Sequence, residues 1–85
     1  MELQVYSVRD AKAEIFNQPF LQKTHGEAER TFKNLVSDPN STVGKFPEDY
    51  SLYYLGTYDD SKGLYQSLAE PQHIIKAVNC LAKIQ

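Results

Sequence analysis

Ser51-Leu52-Tyr53-Tyr54-Leu55-Gly56-Thr57-Tyr58, then Asp59-Asp60-Ser61-Lys62-Gly63, then Leu64-Tyr65-Gln66-Ser67-Leu68, is the stretch that decides the fold. Its first part alternates, with Leu52, Tyr54, Gly56 and Tyr58 on one face and Tyr53, Leu55 and Thr57 on the other. A period of two in aromatic and apolar residues is the mark of a strand. The polar segment that follows ends in Gly63, which supplies the positive φ of a hairpin loop. Residues 64–68 then return as the partner strand.

Working outward, Leu3–Val8 reads as a further strand, with Leu3, Val5 and Ser7 on one face and Gln4, Tyr6 and Val8 on the other. In residues 13–21, Pro19 forbids helix at its own position and biases Gln18 towards extended geometry. An edge strand or ordered extended segment is expected there. Thr24-His25-Gly26-Glu27 is a capping box, in which the Glu27 carboxylate can reach back to the Thr24 amide. The helix it opens runs to about Ser37, with Ala28, Thr31, Phe32, Leu35 and Val36 on one face. Residues 38–50 form a long connection, either a binding loop or a loop pinned to the core by Phe46 and Tyr50. Glu70-Pro71 opens a last helix, with Pro71 at its first position and Ile74, Ile75, Ala77, Val78, Leu81, Ala82 and Ile84 on a wide apolar face. Two amphipathic helices need a common apolar surface, and a small sheet supplies one. The expected fold is one α+β domain over residues 1–85. It has two layers, a three- or four-stranded mainly antiparallel sheet packed by two helices in the order β-(β)-α-β-β-α.

Composition sets the function classes. The chain has 85 residues, 41% hydrophobic and 24% charged, as in a globular domain with one small core. A formal net charge of −2 argues against a protein that coats nucleic acid by bulk charge. Its one cysteine cannot make an internal disulfide, which points to an intracellular protein. No apolar signal-peptide core follows Met1, and no run reaches membrane-spanning length.

Catalytic patterns are sparse. His25 reads as a histidine covering the rim of the core. His73 and Cys80 are seven residues apart, two turns on the expected last helix, too far for a nucleophile–base pair or shared metal ligation. Asp59-Asp60 is better explained by turn chemistry than as a metal or acid–base pair. No P-loop, dinucleotide fingerprint, nucleophile elbow or zinc pattern occurs. The expectation is a protein without catalysis, metal or cofactor.

Six tyrosines and four phenylalanines are a rich supply for this length, and Tyr50, Tyr53, Tyr54 and Tyr58 cluster around one strand. Tyrosines beside lysines on a sheet face can stack the bases of single-stranded nucleic acid. The same residues suit a subunit interface or a small core. The residues expected to contact nucleic acid are Lys45, Tyr54, Tyr58, Lys62, Lys76 and Lys83. Residues 1–45 carry six basic and six acidic side chains, whereas residues 46–85 carry three and five. Any contact by the tyrosine strand therefore falls between the acidic ends Glu48-Asp49 and Asp59-Asp60.

Gln18-Pro19-Phe20, the helix Gly26–Val36 with Ala28, Arg30 and Phe32, Phe46-Pro47-Glu48-Asp49-Tyr50 and Leu55-Gly56-Thr57-Tyr58-Asp59-Asp60 form an ordered series. In this order and spacing the chain resembles the small nonstructural protein of gokushoviruses, the Microviridae branch of single-stranded DNA bacteriophages, over about residues 4–80. Residues 38–45 are where it diverges. The resemblance implies a nonstructural accessory protein in the cytoplasm of the bacterial host, acting in viral DNA replication or single-stranded DNA handling. Its implied partners are single-stranded DNA or viral replication proteins. It assigns no binding residues. The alternative is an adaptor or homo-oligomer, such as a homodimer, that binds a host or viral protein without touching DNA.

Overall fold

The computed structural model describes residues 1–81. Strand β1, Glu2–Asp10, is the centre of an antiparallel sheet. Two short strands, β2 at Ile15–Phe16 and β3 at Phe20–Gln22, share one of its edges. Strand β4, Tyr50–Asp59, pairs along the other edge, and β5, Leu64–Lys76, pairs with β4.

The expected extended segment before the first helix is thus an interrupted edge strand. Phe16 lies opposite Arg9 and Phe20 opposite Tyr6, and Gln18-Pro19 breaks the ladder between them. Fully buried Ser7 sits at the break and donates its hydroxyl to the Asn17 carbonyl at 2.6 Å. No buried polar side-chain atom among the described residues lacks a partner.

Helix α1, His25–Ser37, begins as expected at Thr24, whose Oγ1 accepts from the Glu27 amide at 3.2 Å. The Glu27 carboxylate instead accepts from the Lys23 amide, one residue before the expected Thr24 amide. The buried stripe is Ala28, Phe32 and Val36, narrower than the expected face, because Leu35 stays 36% exposed. The long connection carries its own structure, the short helix α2 at Thr42–Lys45 and a 3-10 turn at Pro47–Asp49. Val43 and Tyr50 pin it to the core, while Phe46 is 52% exposed. Ser41 joins α1 to α2: its hydroxyl donates to the Leu35 carbonyl, and its oxygen accepts from the Gly44 amide.

The largest correction concerns the last helix. Residues 70–76 continue β5, and helix α3 spans only Ala77–Leu81. Pro71 is no helix start here. It sits on the outermost strand, where a missing N–H breaks no central ladder. Ile75 lies opposite Leu52 and His73 opposite Tyr53, so pairing with β4 overrides a helical period in the sequence. The element order is therefore three strands, two helices, a 3-10 turn, two strands and a helix, rather than β-(β)-α-β-β-α. Mixed helix and antiparallel sheet match the α+β expectation, with more elements of each kind than foreseen. The expected roles of Ala82, Lys83 and Ile84 lie outside the described residues.

One face of the sheet meets all three helices. Tyr6, Val8, Tyr50 and Leu52 pack there against Ala28, Phe32 and Val36 of α1, Val43 of α2, and Ala77 and Cys80 of α3. The opposite face has no helix over it among the described residues. Apolar side chains left on an uncovered sheet face are what a binding surface is built from.

Candidate nucleic-acid interface

Three irregularities interrupt the ladders, and at one of them Leu68–Pro71 of β5 lie opposite Leu55 alone; the other two decide which side chains reach the open face. Val5 lies opposite Gly56 but Tyr6 opposite Tyr54, so Leu55 is an extra residue on β4. A slip of one residue exchanges the faces of everything beyond it. Tyr54 shares the helix-covered face with Tyr6, while Tyr58, opposite Leu3, shares the open face with Val5 and Ser7. The expected single alternation of Leu52, Tyr54, Gly56 and Tyr58 fails at this bulge. The second irregularity lies between Leu52 and Tyr53, where Ile74 is the extra residue on β5. It returns His73 to the open face beside Tyr53.

Two cross-strand rows result. One runs Phe16, Arg9, Ser51 and Lys76 across four strands. The other runs Ser7, Tyr53 and His73. The rings of Phe16 and Tyr53 meet edge to face, centroids 5.2 Å apart with planes at 77°. Those of Tyr53 and His73 do the same at 5.3 Å and 86°. The Arg9 guanidinium lies 5.7 Å from the centre of the Phe16 ring, within cation–π range. Arg9, Tyr53, His73 and Lys76 border one hollow of about 250 Å³, which Glu48 and Asp49 also line. Further along the same face, Tyr58 and Tyr65 tilt against each other at 4.6 Å and 37°.

The residues expected to contact nucleic acid are scattered. Lys76 stands in the first row and Tyr58 further along the open face. Tyr54 is turned to the helices, its hydroxyl donating to Gln4 Oε1 at 2.6 Å and its ring 5.5 Å from that of Tyr6. Lys62 lies in the hairpin turn near Glu2 and Asp59, and Lys45 ends α2. Lys83 lies outside the described residues. Arg9, Phe16, Tyr53 and His73 were not among the expected contacts. A signal for Tyr53 was present, since it alternates against core-facing Leu52 and Tyr54. His73 had no such signal while its segment read as helix.

Elsewhere the histidines and acids have local partners. Tyr6 is fully buried, and that burial, with Tyr54 and Glu29 nearby, pushes its phenol up to about 12. It is protonated at neutral pH, and its hydroxyl shares a hydrogen bond with Nδ1 of His25. The His25 ring closes over this pair, 4.8 Å from that of Tyr54. Neither histidine bonds a carboxylate, and no three His, Cys, Asp or Glu side chains gather at metal-binding distance among the described residues. Asp59 accepts from the Ser61 amide at 2.9 Å, as turn chemistry requires. The Met1 amine lies 2.8 Å from Asp60 and 3.7 Å from Asp59, and the Asp60 hydrogen bond holds it protonated above its usual range. One of the two acidic ends of β4 is thereby partly neutralised. No helix among the described residues is long and apolar enough to cross a membrane.

Residues 3–80 match the sequence model of a family described as Phage ORF5 protein. No curated protein and no solved structure matches the chain.

Proposed function

The chain belongs to the Phage ORF5 protein family, and on that footing we propose that it is a non-catalytic accessory protein that binds viral single-stranded DNA through its open sheet face. In this reading it is the nonstructural protein of a gokushovirus. It acts in replication or handling of the single-stranded genome in the cytoplasm of the bacterial host. The observation that carries the reading is the row Phe16–Tyr53–His73 with Arg9 and Lys76 beside it. Each base stacked on such a ring contributes about 1–3 kcal/mol and demands no particular sequence. Two cations suit a short run of phosphates, and Glu48 and Asp49 in the same lining keep that run short. The mode is local stacking with modest electrostatics, consistent with a net charge of −2.

The test is fluorescence anisotropy of a fluorescein-labelled oligo-dT titrated with protein at low salt. Saturable binding with a shallow salt slope, about −1.4 for two phosphates neutralised on a single strand, is the expected result. No anisotropy change at tens of micromolar protein overturns the proposal. A second reading, the protein adaptor, draws on the apolar groove of about 390 Å³ on the same face, between Val5, Leu21, Leu55 and Tyr65. It predicts no DNA binding and a protein recovered on immobilised chain but not on a Leu55→Glu variant.

A further inference from the structure

A second aromatic group stands on the open face beyond the row through Phe16, Tyr53 and His73. Tyr65 lies opposite Tyr58 across the β4–β5 ladder, and Tyr58 lies opposite Leu3, so both rings share the face of Val5 and Ser7. The two centroids are 4.6 Å apart, with planes at 37°. Tyr58 is half-buried, whereas Tyr65 is 68% exposed. The inner ring backs the outer one, which leaves most of its surface to solvent. A tyrosine held in this way has little side-chain freedom left to lose when a flat ligand settles on it.

The register sets the distance between the two groups. On β1, Ser7 is opposite Tyr53 and Leu3 is opposite Tyr58. Four steps of strand separate Ser7 from Leu3, about 13 Å at a rise of about 3.3 Å per residue. The surface between is apolar. Val5, Leu21 and Leu55 line the groove of about 390 Å³, and Tyr65 lines it with them. Val5 and Leu55 are each two residues from the Ser7–Tyr53 pair, so they connect the row to the groove. Strand β5 gives no direct route, because Leu68–Pro71 leave the ladder opposite Leu55 and pairing resumes only at Gln72. The path from Tyr53 to Tyr65 therefore crosses the groove, over β1 and β4.

We propose that Tyr65, backed by Tyr58, is a second base-stacking subsite for the same single strand of DNA, which reaches it from the Tyr53 row across the groove. The subsite rests on single-stranded DNA being the ligand of that row. A nucleic-acid strand offers a π-face at every nucleotide, whatever its sequence. Stacked bases rise about 3.4 Å each, so about four nucleotides bridge the gap. The described lining of the groove carries no charged side chain, so it suits bases and sugars rather than phosphates. Beyond Tyr58, the acids Asp59 and Asp60 would repel phosphates, and the Met1 amine 2.8 Å from Asp60 offsets part of that repulsion. The second subsite thus adds affinity without adding salt dependence.

The test is a titration of ¹⁵N-labelled chain with dithymidylate and with an oligo-dT of about ten nucleotides, within the range of single-strand site sizes. Amide shifts report both location and affinity. The longer oligonucleotide should shift Tyr58 and Tyr65 together with Tyr53 and His73, with one shared affinity. Tyr65→Ala should weaken it about 5- to 150-fold, the loss of one stacked base. The same variant should leave its salt slope unchanged, and leave the dinucleotide's affinity at the Tyr53 row unchanged. Leu64→Ala is the control: Leu64 is 62% exposed and opposes Asp59, on the other side of the strand from Tyr65, and its loss should change neither affinity. Both positions are exposed, so the substitutions spare the core. Unchanged affinity of Tyr65→Ala for the longer oligonucleotide, with the Tyr53 row still shifting, overturns the subsite and leaves the row standing. Separate affinities at the two groups also overturn it. No shift on the open face with either oligonucleotide overturns the subsite and the row together.

Discussion

The ring of His73 stands edge-on to the ring of Tyr53, 5.3 Å away, because the two residues face each other across the β4–β5 ladder. This pairing joins β5 to β4 on the side without helices. It extends the aromatic row that begins at Phe16, and it lies in the same hollow as Lys76 and Arg9. The bulge that makes Ile74 extra is what permits it. Without that extra residue, Ile74 would oppose Tyr53, and His73 would point to the helices.

Tyr53 and Tyr54 are neighbours in sequence with opposite duties, and their substitution should separate affinity from stability. Tyr53→Ala should weaken oligo-dT binding about 5- to 150-fold, the loss of one stacked base, with little change in the urea midpoint. Tyr54→Phe removes the hydroxyl that donates to Gln4. It should cost about 1 kcal/mol of stability and leave the affinity unchanged. Anisotropy and urea denaturation on the same two variants check both halves.

Much of this arrangement can be read from the residues, and the failures have physical causes. Strand β4, the Gly63 turn and the Thr24 cap rest on local chemistry, and each stands where alternation, turn preference or capping puts it. The end of β5 does not rest on local chemistry. Glu70-Pro71 followed by Ile74, Ile75, Ala77 and Val78 fits a helix start as well as it fits an edge strand. What decides is the partner already waiting on β4, a non-local contact that periodicity does not contain. The bulge at Leu55 is likewise set by two strands together, and it sends Tyr54 and Tyr58 to opposite faces. That is why Tyr54 and Tyr58 do not share a face, and why Tyr53 and Tyr58 are the tyrosines of β4 on the open one. In sequence, Arg9 follows the expected first strand and Phe16 lies in the expected extended segment. Only their cross-strand pairing shows them side by side.

Gly56 is required by both conformation and space. Its φ is +149°, and a Cβ there would sit 2.2 Å from the Gln66 carbonyl oxygen. Gly63 has φ +69° but open space around it. Gly63→Ala should therefore cost only the backbone penalty, about 1–2 kcal/mol. Gly56→Ala should cost more than that, because strand β5 must move away from β4 at the bulge. Urea denaturation of the two variants tests the order.

Tyr6 gives the fold an alkaline limit. Its folded value near 12 lies above the ordinary 10.0, so the unfolded chain releases this proton first. The sign follows from linkage: stability is intact below about pH 10, then falls as pH rises from 10 to 12. Tyr6→Phe should lose about 1 kcal/mol at neutral pH with the hydrogen bond to His25. Its stability should fall less steeply than that of the parent chain between pH 10 and 12. Thermal melts across this range compare the two slopes.

Under the proposed function, the open sheet face binds single-stranded DNA. The most direct measurement is the map of amide chemical-shift changes in a ¹⁵N-labelled chain titrated with oligo-dT. The predicted result is a set of shifts on Arg9, Phe16, Tyr53, His73 and Lys76, absent from α1 and α2, and weakened together in an Arg9→Gln, Lys76→Gln chain. Shifts centred on the helical face, or none at saturating oligonucleotide, would contradict it.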